Sequence, residues 1–267
     1  MSITIDGVRL SDLGVRVLQA TQHPVLPGTR DKSIVIPGRH GAYDFGAELD
    51  VRQFEIPCLI ERQPTHSDLQ RKVRELARLF IDQYGRPKTI KLVFDEEPDK
   101  FYNARYSGSV PIDRIVRMGK FVLPLTAYNP FAKFIVPSDE IIMDSDVPIL
   151  SDITLDAVYT FQITKPDQMI QVINDGNIAV RPTILINGTT SRLSIQNTDT
   201  NQSFYIDNIN QPVEVNGENY TVKIGGVSSL SALKGDFIEL LPGYNNIMVD
   251  SSGSTVQLTF RFYHQYI

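Results

Sequence analysis

Alternating apolar and polar positions run through the first half of the chain and predict β-strands. Five runs rich in β-branched and aromatic residues show this pattern: SIVIP at 33–37, VRQFEIPCLI at 51–60, KTIKLVF at 88–94, FYNARYSGSV at 101–110 and GKFVLPLTAY at 119–128. Where a run alternates, its apolar side chains lie on one face, which has to be covered by a packing partner. The first half is therefore predicted to be built around a β-sheet.

One segment of the first half has helical spacing instead. Ser67 can cap its start, with Gln70 three residues later, and Gly85 and Pro87 are stop signals, so the pattern predicts a helix over about residues 65–83. Apolar residues recur there at spacings of three and four: Leu69, Val73, Leu76, Ala77 and Phe80. We expect this stripe to pack against the sheet.

Short strand-like runs separated by Asn, Gly, Asp and Ser fill the second half. They lie at 157–163, 169–174, 181–188, 192–197, 203–207, 211–215, 219–224, 245–249 and 256–267. This spacing is typical of an all-β sandwich. Asn216 and Gly217 lie between two of the runs and predict a tight hairpin, since both residues tolerate positive φ.

Charge divides the chain into the same two halves. Residues 1–133 carry 20 Lys and Arg against 16 Asp and Glu, a net +4, whereas residues 134–267 carry 6 against 15, a net −9. Prolines and acidic residues gather at 129–152, as expected of a domain boundary. The sequence predicts a mainly β protein with domains at 1–133 and 134–267, a β-rich α+β domain with one helix followed by an all-β sandwich.

Targeting and membrane signals are not found in the sequence. The start, MSITIDGVRL, lacks a basic segment leading into an apolar core, and eighteen apolar residues never run together. The single cysteine, Cys58, lies in a strand-like run, where a buried small hydrophobic residue is the better interpretation than a nucleophile. We expect neither a membrane span nor an internal disulfide.

Motifs for catalysis, cofactors and metals are also missing from the sequence. The four histidines have no metal-ligand spacing, and no nucleophile elbow, Walker loop or dinucleotide fingerprint occurs. The acidic run Asp95 to Asp99 has the composition of a solvated turn, and the acidic pair Asp144 and Asp146 is weaker still. We predict no catalytic residues, no metal site and no cofactor.

The basic residues of the predicted helix raise the question of nucleic acid. Carboxylates interleave with them, and no aromatic platform accompanies them: the basic residues are Arg71, Lys72, Arg74 and Arg78, and the acidic ones Asp68, Glu75 and Asp82. We interpret this face as solvated or subunit-facing and predict no specific binding of nucleic acid.

The segment PGRHGAYDFGAEL, from Pro37 to Leu49, follows the run SIVIP and combines three glycines with two aromatic residues. It is too aromatic for a solvated linker and too rich in glycine for a helix or strand interior. A hairpin tip, a ligand loop and a segment that docks on another molecule all fit this composition. The candidate interface residues are Pro37, Gly38, Arg39, Tyr43 and Phe45.

Six motifs in order resemble the distal tail protein (Dit) family of long-tailed, siphovirus-type bacteriophages. They are IPGRHGAYDFG, the helix DLQRKVRELARLF, KLVFDEEPDKFYNARYSGSV, GKFVLPLTAYNPFAK, VINDGNIAVRPTILINGT and FIELLPGYNNIMVDSSGSTVQLTFRFYHQYI. Each motif alone is a weak pattern of turn residues. Their common order covers nearly the whole chain and makes the resemblance specific.

The resemblance implies a virion structural protein, made in the bacterial cytoplasm and placed at the distal end of the phage tail. It implies a homohexameric ring, single or stacked, that joins the tail tube protein to the tail-associated hub protein and lets DNA pass. The receptor-binding and tape measure proteins are further expected partners. The first domain would form the ring and the second a galectin-like sandwich. The segment QATQHPVLPGTRDKS, at 19–33, and the Pro37–Leu49 segment are candidates for reaching a neighbouring subunit.

Other interpretations stay open at this point. Tyr43 and Phe45 could pack inside their own domain beneath a hairpin tip instead of anchoring a neighbour. The sandwich could belong to a carbohydrate-binding protein for host adhesion, although the chain has no tryptophan. The tyrosines that could stack on a sugar are Tyr159, Tyr205, Tyr220 and Tyr244. A hydrolase has no support from the motifs.

Overall fold

The computed structural model describes residues 2–18, 24–115, 117–141, 151, 153–252 and 254–267. These residues form two compact units, Met1–Ala132 together with Ile267, and Lys133–Tyr266. The division lies one residue before the boundary predicted at 133/134. Asp144 and Asp146 and residues 19–23 of the segment at 19–33 lie outside the described residues.

Ten strands lie among the described residues of the first unit that precede residue 128. They are β1 Ile3–Ile5, β2 Val8–Arg9, β3 Val15–Val17, β4 Thr29–Ile34, β5 Tyr43–Leu49, β6 Arg52–Ile60, β7 Ile90–Phe94, β8 Glu97–Tyr106, β9 Asp113–Ile115 and β10 Met118–Ala127. Seven form one antiparallel sheet in the order β2-β1-β7-β8-β10-β6-β3, and β9 pairs with β10. A short 3-10 helix, Leu10–Leu13, precedes β3.

The alternation seen in the sequence sets the core of this sheet. Every second residue of β6 is buried, and β6 pairs with β10 along its whole length, from Arg52 opposite Ala127 to Ile60 opposite Gly119. Cys58 is fully buried in this core, and burial raises the pKa of its thiol to about 12. The acidic run that begins at Asp95 includes the tight turn between β7 and β8, as its composition predicts.

The helix, α1, spans His66–Arg78 and differs from its prediction at both ends. Thr65, rather than Ser67, is the N-cap, because its Oγ1 accepts a hydrogen bond from the Asp68 amide at 3.1 Å. The helix ends before residue 83 because the chain turns back after Phe80. The Asp82 carboxylate fixes that turn by accepting the amides of Tyr84 and Arg86, both at 2.8 Å.

The second unit is an all-β sandwich. Its strands are β12 Thr160–Ile163, β13 Gln168–Asn174, β14 Thr183–Gly188, β15 Thr190–Asn197, β16 Ser203–Ile209, β17 Val213–Asn216, β18 Thr221–Ile224, β19 Val227–Ser228, β20 Lys234–Gly235, β21 Gly243–Asp250, β22 Val256–Arg261 and β23 Gln265–Tyr266. Its sheets run β12-β22-β14-β17-β18-β19 and β13-β21-β15-β16-β20. A further strand, β11 Ala132–Phe134, spans the division between the units and pairs with β23. Two short 3-10 helices lie at Ser138–Glu140 and Leu230–Ala232.

Both sheets contribute to one core of buried aliphatic and aromatic residues. The predicted hairpin around Asn216 is present, but its turn is longer than expected, because Asn216 pairs with Thr221. The positive φ falls on Tyr220 rather than on Asn216 or Gly217. Gly217 is needed for another reason, since a Cβ there would lie 2.8 Å from the Cβ of Arg181.

His264 is a fully buried polar residue of this unit. Its Nδ1 accepts the Asp175 amide at 3.0 Å, so the neutral ring carries its proton on Nε2, which lies 3.4 Å from the Tyr159 hydroxyl oxygen. Burial lowers the pKa of His264 to about 4, although the Asp175 carboxylate acts in the opposite direction. The ring is therefore neutral at physiological pH.

Candidate subunit-interface site

The Pro37–Leu49 segment is part of a two-stranded ribbon that stands apart from the main sheet. Strands β4 and β5 pair only with each other among the described strands, from Thr29 opposite Leu49 to Ile34 opposite Tyr43. All their residues are exposed. The predicted loop is therefore a turn plus a returning strand, and of the run SIVIP only the first two residues belong to β4. We call residues 29–49 the ribbon.

The end of the ribbon is shaped by the proline and glycine of the predicted site. The Arg39 amide donates to the Ile36 carbonyl at 3.1 Å, with Pro37 and Gly38 at the two central positions. Gly38 has φ +84°, as the third residue of a type II turn requires, and proline presets the second. Pro37 and Gly38 thus form the turn at the end of the ribbon, and both are exposed.

A bulge changes which side chains share a face. The register shifts between Asp31 and Ser33, and Gly46 on the facing strand has φ +91° with its amide bound to the Asp44 carboxylate at 2.8 Å. Beyond the bulge Ile34 pairs with Tyr43, and Phe45 lies two residues from Tyr43, so these three side chains share one face.

Five large apolar side chains are exposed at this end of the ribbon. Phe45 is 64% exposed and Tyr43 is 44% exposed, so the alternative in which both pack inside their own domain does not hold in this structure. We call the exposed group Ile34, Val35, Ile36, Tyr43 and Phe45 the tip cluster. The Arg39 guanidinium lies 4.4 Å from the centroid of the Tyr43 ring and also bonds its hydroxyl, which orients the ring.

Charges on the ribbon are only partly paired. Lys32 forms an ion pair with Glu48, and Arg30 lies 3.5 Å from the Asp50 carboxylate. Lys32 lowers the pKa of Glu48 through the hydrogen bond and its charge. Within the described part of the chain, Asp31 and Asp44 have no cation within 4 Å. The ribbon therefore carries two carboxylates available to a partner.

The base of the ribbon is held by a buried arginine that the sequence patterns did not single out. Arg52 is 4% exposed, donates to the Tyr102 hydroxyl at 2.6 Å and donates to the Val25 carbonyl at 3.2 Å. The Asp50 amide donates to the Gly28 carbonyl at 2.7 Å and closes the base. An arginine at the start of an alternating strand is expected at the surface, so only the structure identifies this anchor.

A second apolar feature of the first unit lies between α1 and the sheet. It is a groove of about 340 Å³ with a helix side formed by Val73, Ala77 and Ile81. Its other side, called the sheet side, is formed by Tyr106 at the end of β8 and by Val110 and Ile112 of the segment that follows β8. We call it the α1 groove. Of the predicted helical stripe, Leu69, Leu76 and Phe80 are buried, whereas Val73 is half-buried and Ala77 is exposed at the groove.

The tyrosines considered for sugar stacking occupy different environments. Tyr159 is buried. The Tyr205 ring is covered by the Arg192 guanidinium at 4.5 Å, and the Tyr220 ring packs edge-on against Phe237 at 5.2 Å. Tyr244 is exposed on β21. The structure therefore does not join the four into one stacking platform.

Three or more His, Cys, Asp or Glu side chains do not come together as a metal site anywhere in the described ranges. Among the same residues, no helix is long and apolar enough to cross a bilayer, and α1 has 13 residues. The exposed ribbon and the α1 groove are the features that carry a functional interpretation.

Comparisons with known proteins agree with this architecture. The family model described as the phage tail protein RIFT-related domain matches residues 8–127, and the model described as the siphovirus-type tail component, C-terminal domain, matches residues 175–264. The two matches fall in the two structural units. The sequence matches none of the curated proteins.

A solved phage protein has the same fold. The crystal structure of the SPP1 Dit (gp 19.1) protein, described as a paradigm of the hub adsorption apparatus in phages infecting Gram-positive hosts, has a TM-score of 0.70 at 18% identity, covering 98% of each chain. A chain of the phage P2 baseplate in its activated conformation with Ca is 8% identical over 97% of each chain, with a TM-score of 0.40, too weak a likeness to support an argument. The chain therefore belongs to the distal tail protein (Dit) family of siphovirus-type phages and is a structural component of the phage tail and baseplate hub.

Proposed function

We propose that six copies of this chain form a ring at the distal end of the phage tail. The ring joins the tail tube to the hub that carries the host-recognition parts, and DNA leaves through its channel. The observation that carries the proposal is the exposed tip cluster on the ribbon of a tail protein. A surface of this kind marks a site of protein association.

The physical argument starts from the stability of the ribbon. An isolated two-stranded hairpin is marginally stable in water, because it cannot cover its apolar side chains. The bonds of Arg52 lie at the base of this ribbon and the turn at Gly38 lies at its other end, and between them its apolar side chains are exposed. A neighbouring subunit that covers the tip cluster would supply the missing burial. A contact between different surfaces of identical subunits relates each subunit to the next by a rotation. The subunits close into a ring when a whole number of these rotations makes a full turn.

The division of the chain supports a division of roles. The first unit carries the ribbon and would make the ring contacts. The second unit would be a galectin-like sandwich with no role in closing the ring. Proposed partners are the tail tube protein, the tail-associated hub protein, and the receptor-binding and tape measure proteins. The protein would be made in the host cytoplasm and act through geometry rather than catalysis.

Negative-stain images of the purified protein test this proposal. We expect rings with six-fold symmetry and a central channel, single or stacked. Fields that contain only particles of one-subunit size at micromolar concentration would contradict the ring. Rings with a different symmetry would contradict the hexamer alone.

A further inference from the structure

The tip cluster and the α1 groove are a convex and a concave apolar surface of the same unit. We infer that the tip cluster of one subunit docks into the α1 groove of the next subunit around the ring. The inference rests on the proposed ring and adds the surface that receives the ribbon.

The helix side of the groove lacks a cover of its own. Val73 and Ala77 belong to the apolar stripe of α1, yet Val73 is half-buried and Ala77 exposed, and Ile81 beyond the helix is also exposed. The apolar stripe of an amphipathic helix is normally covered along its length. The uncovered part lies at the groove, so the sequence pattern of α1 continues onto a surface that its own unit leaves open.

The sheet side of the groove completes a site for a large side chain. Tyr106, Val110 and Ile112 are each half-buried there. A volume of about 340 Å³ is in the range that binds compact apolar groups. Aromatic anchors that fill such concavities carry much of the binding energy in protein interfaces. Phe45 is the most exposed aromatic residue of the tip cluster and is the side chain that we place in the groove.

Charges near the two surfaces are complementary. Arg74 follows Val73 directly on α1 and is exposed beside the groove, outside the residues that line it. Like Arg78, it has no carboxylate within 4 Å in the part of the chain that the structure describes. On the ribbon, Asp44 precedes Phe45 and has no cationic partner there. Alternation places Asp44 on the face of β5 opposite to Phe45, so its attraction to the arginines would favour the approach of the ribbon to the helix rather than a contact inside the groove.

A second copy of the chain fits these surfaces better than a different tail protein. The exposure of Tyr43 and Phe45 shows that the ribbon does not fill the groove of its own chain. A ring needs both complementary surfaces on every subunit, and this chain supplies both within one unit. One repeated contact then covers six ribbons and six grooves.

Mixing two defective variants tests this contact. The ribbon variant carries Tyr43→Ser and Phe45→Ser, and the groove variant carries Ala77→Glu at an exposed helical position. Each variant alone should lose the rings. An equimolar mixture should form heterodimers of about 60 kDa from two 30.0 kDa chains, because one ribbon and one groove remain intact. Light scattering after size-exclusion chromatography measures the masses.

A matched control separates the groove from a general charge effect. Ser67→Glu adds the same carboxylate at an exposed position of α1 away from the groove, and its rings should persist. If the groove variant also keeps its rings while the ribbon variant loses them, the ribbon docks elsewhere and the inference is wrong. That outcome leaves the proposed ring intact, whereas a wild-type protein without rings overturns the proposed function itself.

A disulfide between the two surfaces gives a second test that needs no loss of assembly. Phe45→Cys combined with Ala77→Cys in one chain should give a ladder of covalent oligomers under oxidising conditions, and either change alone should not. The native Cys58 is fully buried and does not interfere. Rings that form without a ladder would overturn the inference.

If Ala77→Glu lowers the helical signal, Val110→Glu on the sheet side replaces it in the mixing experiment.

Discussion

Ile34 and Tyr43 face each other as direct partners across the end of the ribbon, and both side chains are exposed, at 56% and 44%. A cross-strand apolar pair usually stabilises a sheet by packing against a core as well as against itself. Here the ribbon has no core beneath it. The burial that this pair lacks within the chain is the burial that assembly would provide.

Removing the aromatic anchors of the ribbon should weaken assembly without unfolding the chain. Tyr43→Ser with Phe45→Ser removes two exposed rings, and anchors of this type contribute about 2 kcal/mol each to an interface. We expect the concentration at which rings form to rise more than about tenfold, with an unchanged circular dichroism spectrum. The matched control is Met169→Ser with Tyr244→Ser, which removes two exposed side chains of the second unit. Normal assembly of the ribbon variant would show that the ribbon does not contribute to the ring.

Duplex DNA should not bind to the assembled ring. A channel that DNA passes through functions best without Lys and Arg contacts to phosphate, since each contact adds a counterion-release contribution that holds the duplex. The net charge of −5 of the whole chain disfavours association with DNA, although the first domain, which would form the ring, carries +4. Fluorescence anisotropy with a labelled duplex at physiological salt should show no binding. A submicromolar, salt-sensitive dissociation constant would be incompatible with a passive channel.

Acid should destabilise the protein through His264. Its pKa is lowered to about 4 in the folded chain, below the ordinary value of 6.5. Between these two values the unfolded chain binds a proton that the folded chain does not, so stability falls as the pH falls through this window. The loss attributable to this residue is at most about 3 kcal/mol.

A variant isolates this contribution from the other acidic groups. His264→Gln keeps a side-chain acceptor for the Asp175 amide and has no titration of its own. Thermal unfolding from pH 7 to pH 4 should give a steeper loss of stability for the wild type than for the variant. Parallel curves for the two proteins would show that His264 is not held neutral.

Residues 133–267 should fold alone. This fragment keeps the core of the second unit and the ion pair between Lys133 and Glu218 at 2.8 Å. We expect a soluble monomer with a β-type circular dichroism spectrum and a cooperative melt. An unfolded fragment would mean that the sandwich depends on the first unit, and a ring formed by the fragment would reverse the proposed division of roles.

Alternation predicted many of the strands, because a half-buried strand places apolar residues on its buried face and polar residues on its exposed face. The run VRQFEIPCLI becomes β6 with the expected buried face, and the short runs of the second half become strands of the sandwich. The helix ends were less predictable, since both Thr65 and Ser67 have the chemistry of an N-cap. Only the backbone shows that the Thr65 oxygen meets the Asp68 amide.

The sequence named the residues of the candidate site but did not predict its structure. The sequence singled out Gly38 and Tyr43 as candidate interface residues. It did not show that the register shifts beside Gly46, which makes Ile34 the cross-strand partner of Tyr43. Arg52 was missed because a buried arginine without a carboxylate partner has no local sequence signal. Long-range contacts, such as its bond to Tyr102, exist only in the folded chain.

The molar mass of the purified protein in solution tests the central claim most directly. Multi-angle light scattering at micromolar concentration should give about 180 kDa, the mass of six 30.0 kDa chains, or twice that value for two stacked rings. A single species of 30.0 kDa that persists as the concentration is raised would contradict the ring and, with it, the role proposed for the ribbon.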